Sequence, residues 1–178
     1  MDWQLVGKRS SFPRIPRDFY PTPYAAVLPL LPHLQPETLF VEPCAGGGAL
    51  ISHLERHGHK CVFAYDIEPR RDGIARGDAR APVGFWTHAY ITNPPWDRRL
   101  LHPIIENLSR CGPTWLLFDA DWMHTRQSAP YVKWLHKIVS VGRVKWIEDS
   151  PFTGKDNCCW YLFDQTSDAP AQFVGRAA

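Results

Sequence analysis

A chain of 178 residues, 44% hydrophobic and 21% charged, has room for one globular core and little more. Its formal net charge of +2 does not by itself mark a nucleic-acid binder. Five cysteines, no apolar leader over residues 1–10 and no apolar run of membrane-spanning length predict a reduced, cytoplasmic, membrane-free protein.

In chain order, the first segment is proline-rich. Pro13, Pro16, Pro21, Pro23, Pro29, Pro32 and Pro36 predict an extended arm over residues 1–37, broken by short turns. It carries Lys8, Arg9, Arg14 and Arg17. Residues 39–42 then read as a buried strand. Residues 49–57 read as a helix with Leu50, Ile51 and Leu54 on one face and Gly58 as its stop. Residues 61–65 are a second strand, residues 74–78 a weaker element, and residues 88–92 a further strand running into Asn93-Pro94-Pro95. Residues 100–108 have helical period, residues 114–119 are a strand, and residues 129–138 fit a helix. Residues 139–147 and 157–163 read as a closing hairpin, leaving 166–178 as a tail. Strands alternating with helices over 38–165 predict a single α/β domain with a doubly wound, mostly parallel sheet. In such sheets ligands bind beyond the carboxyl ends of the strands, so functional motifs are expected just after strands.

They are found there. Val41-Glu42-Pro43-Cys44-Ala45-Gly46-Gly47-Gly48 is a strand end, a glycine turn and a helix start. Glycine allows positive φ and close approach of a ligand to the backbone, although plain turns and dinucleotide folds share the pattern. Asp66 ends the next strand roughly 20 residues later, where nucleotide-binding α/β folds hold a ribose diol. Gly77-Asp78-Ala79 follows; Asp78 is placed either to accept from an adenine amino group or to cap a turn. No CxxC spacing supports a metal site, and none is expected.

The series Glu42-Pro43-x-Ala45-Gly46-x-Gly48, Asp66, Gly77-Asp78-Ala79 and Asn93-Pro94-Pro95-Trp96 resembles the motif series of amino-group methyltransferases acting on nucleic acids. Asp18-Phe19-Tyr20-Pro21-Thr22-Pro23 resembles the segment that precedes the glycine loop in many DNA adenine methyltransferases, and overall the chain looks most like small phage- or prophage-type adenine methyltransferases. The resemblance implies a Rossmann-like, seven-stranded sheet with a reversed C-terminal hairpin and helices on both faces. It implies S-adenosylmethionine as cofactor, contacted by Phe19, Thr22, Gly46, Gly48 and Asp66, with Asp78 holding its adenine. Tyr20, Pro23, Glu42, Pro43, Ala45, Ile67, Ala79 and Asn93 fall in the same cofactor-contacting motifs.

The tetrapeptide has a chemical rationale. An exocyclic amine on a heteroaromatic ring is a poor nucleophile because its lone pair is delocalised. Accepting both amino hydrogens, one on the Asn93 side-chain oxygen and one on the Pro94 carbonyl, holds the lone pair toward an electrophilic methyl. Both hydrogen bonds strengthen as nitrogen gains charge, which stabilises the transition state selectively. Pro94 and Pro95 aim the carbonyl in advance, and Trp96 would stack on a flipped-out base. Alone, the same tetrapeptide could be a turn that ends a strand.

The same logic covers adenine N6, cytosine N4, guanine N2 and a glutamine amide. Cytosine families usually resemble Ser-Pro-Pro, and the motif order favours adenine N6 in DNA. RNA, a protein glutamine and a catalytically silent nucleic-acid-binding relative stay open. Trp122, Arg98, Arg99 and Lys155 are further substrate-side candidates. For Trp122 packing on the core, and for Lys155 an ordinary polar turn, are the alternatives. With no separate target-recognition domain in view, loose or short site specificity is expected, drawn from loops, the basic arm, a homodimer partner or an accessory subunit.

Overall fold

The computed structural model describes residues 19–81, 84, 87–147 and 154–176. Residues 1–18, with Asp18 and the basic arm positions, and residues 148–153 at the hairpin tip lie outside the described set.

The elements run α1 (Tyr24–Val27), β1 (Leu39–Glu42), α2 (Ala49–Glu55), β2 (Lys60–Asp66), β3 (Ala75–Arg76), β4 (Ala89–Thr92), α3 (Arg98–Cys111), β5 (Thr114–Asp119), β6 (Leu135–Arg143), β7 (Asn157–Phe163) and β8 (Gln172–Val174). They build one sheet in the order β3-β2-β1-β4-β5-β7-β6-β8. Strands β3, β2, β1, β4 and β5 are mutually parallel, β7 is antiparallel to both β5 and β6, and β8 pairs parallel to β6. Only β7 is therefore reversed. Strand order turns back between β1 and β4, which makes the carboxyl edge there the topological switch point.

The sheet separates two cores. Ala26 and Val27 of α1, with Leu50, Ile51 and Leu54 of α2, pack with Phe40, Ile91, Trp115, Leu117 and Trp160 on one face. On the other, Leu101, Ile104, Ile105 and Leu108 of α3 pack with Val41, Tyr90, Leu116, Phe118, Tyr161 and Phe163. The alternation Trp115/Leu117 against Leu116/Phe118 is the period of two of a strand covered on both sides. Gly58 ends the α2 turn at φ 84°, as its placement predicts.

Three expectations are corrected. Residues 129–138 are not a helix: a short 3₁₀ turn at Val132–Trp134 leads straight into β6. The spacing of Tyr131, Leu135 and Ile138 suits a helix. However, Ile138 and Val139 are β-branched, and β6 is paired on both sides, so tertiary pairing overrides the local period. The strand expected over 139–147 consequently starts earlier and ends at Arg143. Finally, the sheet has eight strands among the described residues, because the expected tail supplies β8. The His136 ring positions that return: its nitrogens meet the Asp164 and Ala169 carbonyls at 2.8 and 2.5 Å.

Candidate functional site

The glycine loop is tied to the end of β2 by its own backbone. Ala45 N–H donates to the Tyr65 carbonyl (3.1 Å), and Arg70 N–H donates to the Gly46 carbonyl (3.0 Å). The Asp66 carboxylate accepts from Gly46 N–H at 2.8 Å and from Glu68 N–H at 2.7 Å. Gly46 and Gly48 take φ of 51° and 78°, which L side chains adopt at a cost. A Cβ at Gly46 would collide with the Phe19 ring, and one at Gly48 with the Arg71 guanidinium. The loop is thus bare where something must come close.

Residues 19–23 cross over this loop as a clasp. Arg70 sits 3.6 Å over the Phe19 ring. Thr22 is buried, and its carbonyl meets His53 Nε2 of α2 at 3.1 Å. The Tyr20 carbonyl accepts from Asn93 Nδ2 at 3.4 Å, a long bond between residues far apart in sequence. A carbonyl can only accept, so the amide nitrogen is the end of Asn93 that faces Tyr20. The side-chain oxygen is then the end free to accept from a ligand.

Between clasp, glycine loop and strand ends lies a cavity of about 700 Å³, within the range of small-molecule sites. Its wall includes Phe19, Tyr20 and Thr22, the loop from Glu42 through Gly48, Asp66 with Ile67, Asp78 with Ala79, and Asn93 with Pro95. The structure therefore brings nearly all the expected cofactor positions together. Pro23 instead precedes α1 as its N-cap, and Pro94 is buried.

The cavity is acidic at three strand ends. Glu42 is 2% exposed, and its Oε2 has no hydrogen-bond partner. Burial, and then the neighbouring Asp66, hold its carboxyl well above the usual range. Asp78 behaves oppositely: hydrogen bonds from the Arg80 guanidinium pull its carboxyl down. Arg80 engages both oxygens, Nε with Oδ1 at 2.9 Å and Nη2 with Oδ2 at 2.6 Å, and it too lines the cavity. The Cys44 thiol is pushed up by burial and then by Asp66 and Glu42, so it stays protonated. Beneath the Asp78 loop, the buried Asn107 of α3 donates to the Ala79 and Ala81 carbonyls at 2.8 and 2.6 Å. Sequence reading passed over Asn107, although an asparagine in register with Ile104 and Leu108 on an apolar helix face is a visible signal.

Trp96 turns from the tetrapeptide toward the sheet. Its indole N–H donates to the Leu117 carbonyl (3.2 Å), and its ring meets Trp146 edge-on at 5.7 Å and 86°. Trp146 lies 6.4 Å from the ring of Tyr20, which lines the cavity. Trp146 was hidden inside an expected strand. No local pattern marks it; only the path of the chain after Arg143 brings it beside Trp96.

The other substrate-side candidates fare differently. Trp122 is fully buried, donates to His102 Nε2 (3.0 Å) and packs on Phe118, Tyr161 and Phe163, so it is core and not pocket wall. Its large apolar ring gains more from that core than a loop position could return. Arg98 Nη2 pairs with Asp119 at 2.7 Å, which pins the start of α3 to the end of β5. Arg99 pairs with Asp97, the residue that caps α3, and is mostly exposed. Lys155 is exposed just beyond the hairpin tip. Among the described residues, no group of three His, Cys, Asp or Glu side chains could hold a metal ion.

No protein-family model matches the chain, and no curated protein matches it in sequence. Solved structures do match in fold. A Pyrococcus horikoshii protein provisionally assigned as an RNA methyltransferase is 15% identical over 88% of this chain and 91% of its own, with a TM-score of 0.65. A dimethyladenosine transferase from Plasmodium falciparum is 15% identical with a TM-score of 0.56; the match covers 84% of this chain but 64%, less than two thirds, of that one. The Mtq2–Trm112 complex of E. cuniculi, responsible for methylation of the translation termination factor eRF1, gives 12% identity over 79% of this chain and 93% of that one, with a TM-score of 0.54. At these identities the likeness establishes the fold alone: a mostly parallel, Rossmann-like α/β sheet shared with these proteins.

Proposed function

We propose that this chain transfers a methyl group from S-adenosylmethionine to an exocyclic amino nitrogen, adenine N6 in DNA. The observation that carries the reading is the orientation of Asn93. Its amide nitrogen is committed to the Tyr20 carbonyl, which leaves the oxygen as an acceptor at the cavity wall. A fixed acceptor beside the Pro94 carbonyl is what a weakly nucleophilic amine needs.

The cavity's own residues fit the cofactor. The bare Gly46 and Gly48 permit close approach, and the unpartnered Glu42 oxygen in a buried wall calls for a cationic group such as an α-ammonium. Asp66 has lone pairs left for a ribose diol after its two backbone bonds. Asp78 is available to an adenine amino group once Arg80 shares or yields its carboxylate. Bound there, S-adenosylmethionine supplies an electrophilic methyl on sulfur. Asn93 and Pro94 accept the amino hydrogens and hold the lone pair toward it. Tyr20 lies on the cavity wall where a planar ring could stack, while Trp96, expected to stack on the base, packs against the sheet and Trp146 behind it. Extruding a base costs about a few kcal/mol, and stacking returns about 1–3 kcal/mol.

The alternative acceptors are an RNA amine and a protein glutamine. The similar structures of an RNA methyltransferase and of a termination-factor methyltransferase favour keeping them. The deciding experiment incubates the chain and Asn93→Ala with S-adenosylmethionine and DNA, RNA or protein, and identifies methylated products by mass. N6-methyladenine from DNA, reduced about 10²–10³-fold in Asn93→Ala, is expected. Methyl transfer confined to RNA or protein would reassign the substrate, and failure to bind the cofactor would leave a silent nucleic-acid-binding relative.

A further inference from the structure

The clasp over residues 19–23 is fastened at both ends of the cavity by side chains of other elements. At the tetrapeptide end Asn93 holds the Tyr20 carbonyl. At the α2 end His53 Nε2 meets the Thr22 carbonyl at 3.1 Å. Because a carbonyl only accepts, Nε2 carries the proton and Nδ1 is the bare nitrogen. Nδ1 is buried and has no hydrogen-bond partner. The Tyr24 ring lies 5.3 Å from His53, and the Tyr24 hydroxyl bonds His57 Nε2 at 2.8 Å, with those two rings stacked.

We propose that His53 is a positioning residue, a latch that holds the clasp closed while its imidazole is neutral and lets it open when the imidazole is protonated. The inference rests on the reading of this cavity as a cofactor site. A second proton would go to Nδ1. If the ring stays on Thr22, that new N–H is a charged donor buried without an acceptor, which destabilises the closed state. If the ring swings out to hydrate it, Thr22 loses its donor. Either path weakens the clasp. The groups around His53 are the Tyr24 ring of α1, with His57 stacked on that same ring, and Arg56, which caps the end of α2. None of these is a carboxylate that would welcome the second proton. Burial lowers the His53 value below 6.5, the Thr22 bond opposes this, and Arg56 adds to it. Opening therefore lies on the acid side of the ordinary histidine range, and the latch is shut at neutral pH.

The test is hydrogen exchange of residues 19–27 in the full chain without cofactor, at about pH 7.5 and about pH 5.5, corrected for intrinsic rates. In the parent, exchange should rise several-fold, up to about tenfold, at the lower pH while β7 stays protected. His53→Ala should be open at both values. His53→Gln, whose Nε2 can still donate to Thr22, should be closed at both. Equal, pH-independent exchange in parent and His53→Ala would overturn the latch, and so would His53→Gln behaving like His53→Ala. Binding of S-adenosylhomocysteine, measured in parallel, should weaken at the lower pH in the parent and stay flat in His53→Gln. A chain that never binds this probe would sink the cofactor reading and leave the exchange result to judge the latch alone.

Discussion

The two ends of the cavity are built by different means. At the glycine-loop end every link is short, 2.7–3.1 Å, and runs between neighbouring strand ends through backbone groups and the Asp66 carboxylate. At the Asn93 end a single 3.4 Å bond with one tilted and one edge-on aromatic contact joins three distant pieces of chain: the clasp, the tetrapeptide and the segment carrying Trp146. The first end is set by the sheet itself and suits a ligand of fixed shape. The second depends on where the clasp rests, and suits a substrate that must enter and leave.

Gly46→Ala is the sharpest way to break the rigid end. The new Cβ meets the Phe19 ring, and φ of 51° is unfavourable for alanine. Strain of about 1–2 kcal/mol and overpacking of about 1–3 kcal/mol predict roughly a hundredfold weaker S-adenosylhomocysteine binding by calorimetry. Gly58→Ala is the control: φ there is also positive, but nothing lies within 4 Å, so stability should fall without a change in affinity.

The same contrast explains what could be read from the sequence. The rigid end is local: Leu39–Glu42, its glycines, Asp66 and Gly77-Asp78 are contiguous motifs that follow strands, and they stand where the spacing puts them. The flexible end is tertiary. Trp146 reaches Trp96 only because β6 begins at Leu135, which the helical spacing of residues 131–138 conceals. Trp122 reads as either pocket wall or a loop aromatic packed on the core, and the structure takes the second: Phe118, Tyr161 and Phe163 converge on it from β5 and β7. Strand β8 is three residues with Phe173 largely exposed, too short to give a period.

Trp160→Phe probes the flexible end from a distance. Trp160 is fully buried in β7, and its indole N–H donates to the Ala26 carbonyl of α1 at 2.8 Å, which anchors the helix that continues the clasp. Phenylalanine leaves that carbonyl without a donor and the space underfilled, a loss of about 2 kcal/mol. Thermal unfolding should fall by about 4–8 °C for a chain of this size. Exchange over residues 19–27 should rise more than exchange over the glycine loop; uniform loosening of both would mean that the two ends are one unit.

Glu42→Gln carries the smallest effect and separates ligand binding from folding at the rigid end. Glu42 has a folded value raised above its unfolded one by burial and by Asp66. Its contribution to stability is therefore full below the unfolded value and is lost as pH rises through the folded value. At neutral pH the chain without ligand holds a buried carboxyl with an unpartnered oxygen. Glutamine cannot ionise and keeps the shape, so the unliganded variant should be more stable by about 1 kcal/mol, with a flatter dependence on pH above the unfolded value. If a ligand ammonium is what satisfies that oxygen, the thermal shift produced by S-adenosylhomocysteine should shrink in the same variant. A gain in stability with an undiminished ligand shift would place the ammonium elsewhere and leave Glu42 as a purely structural strain. A loss of both would mean that the carboxylate is held by the fold and not kept for a ligand.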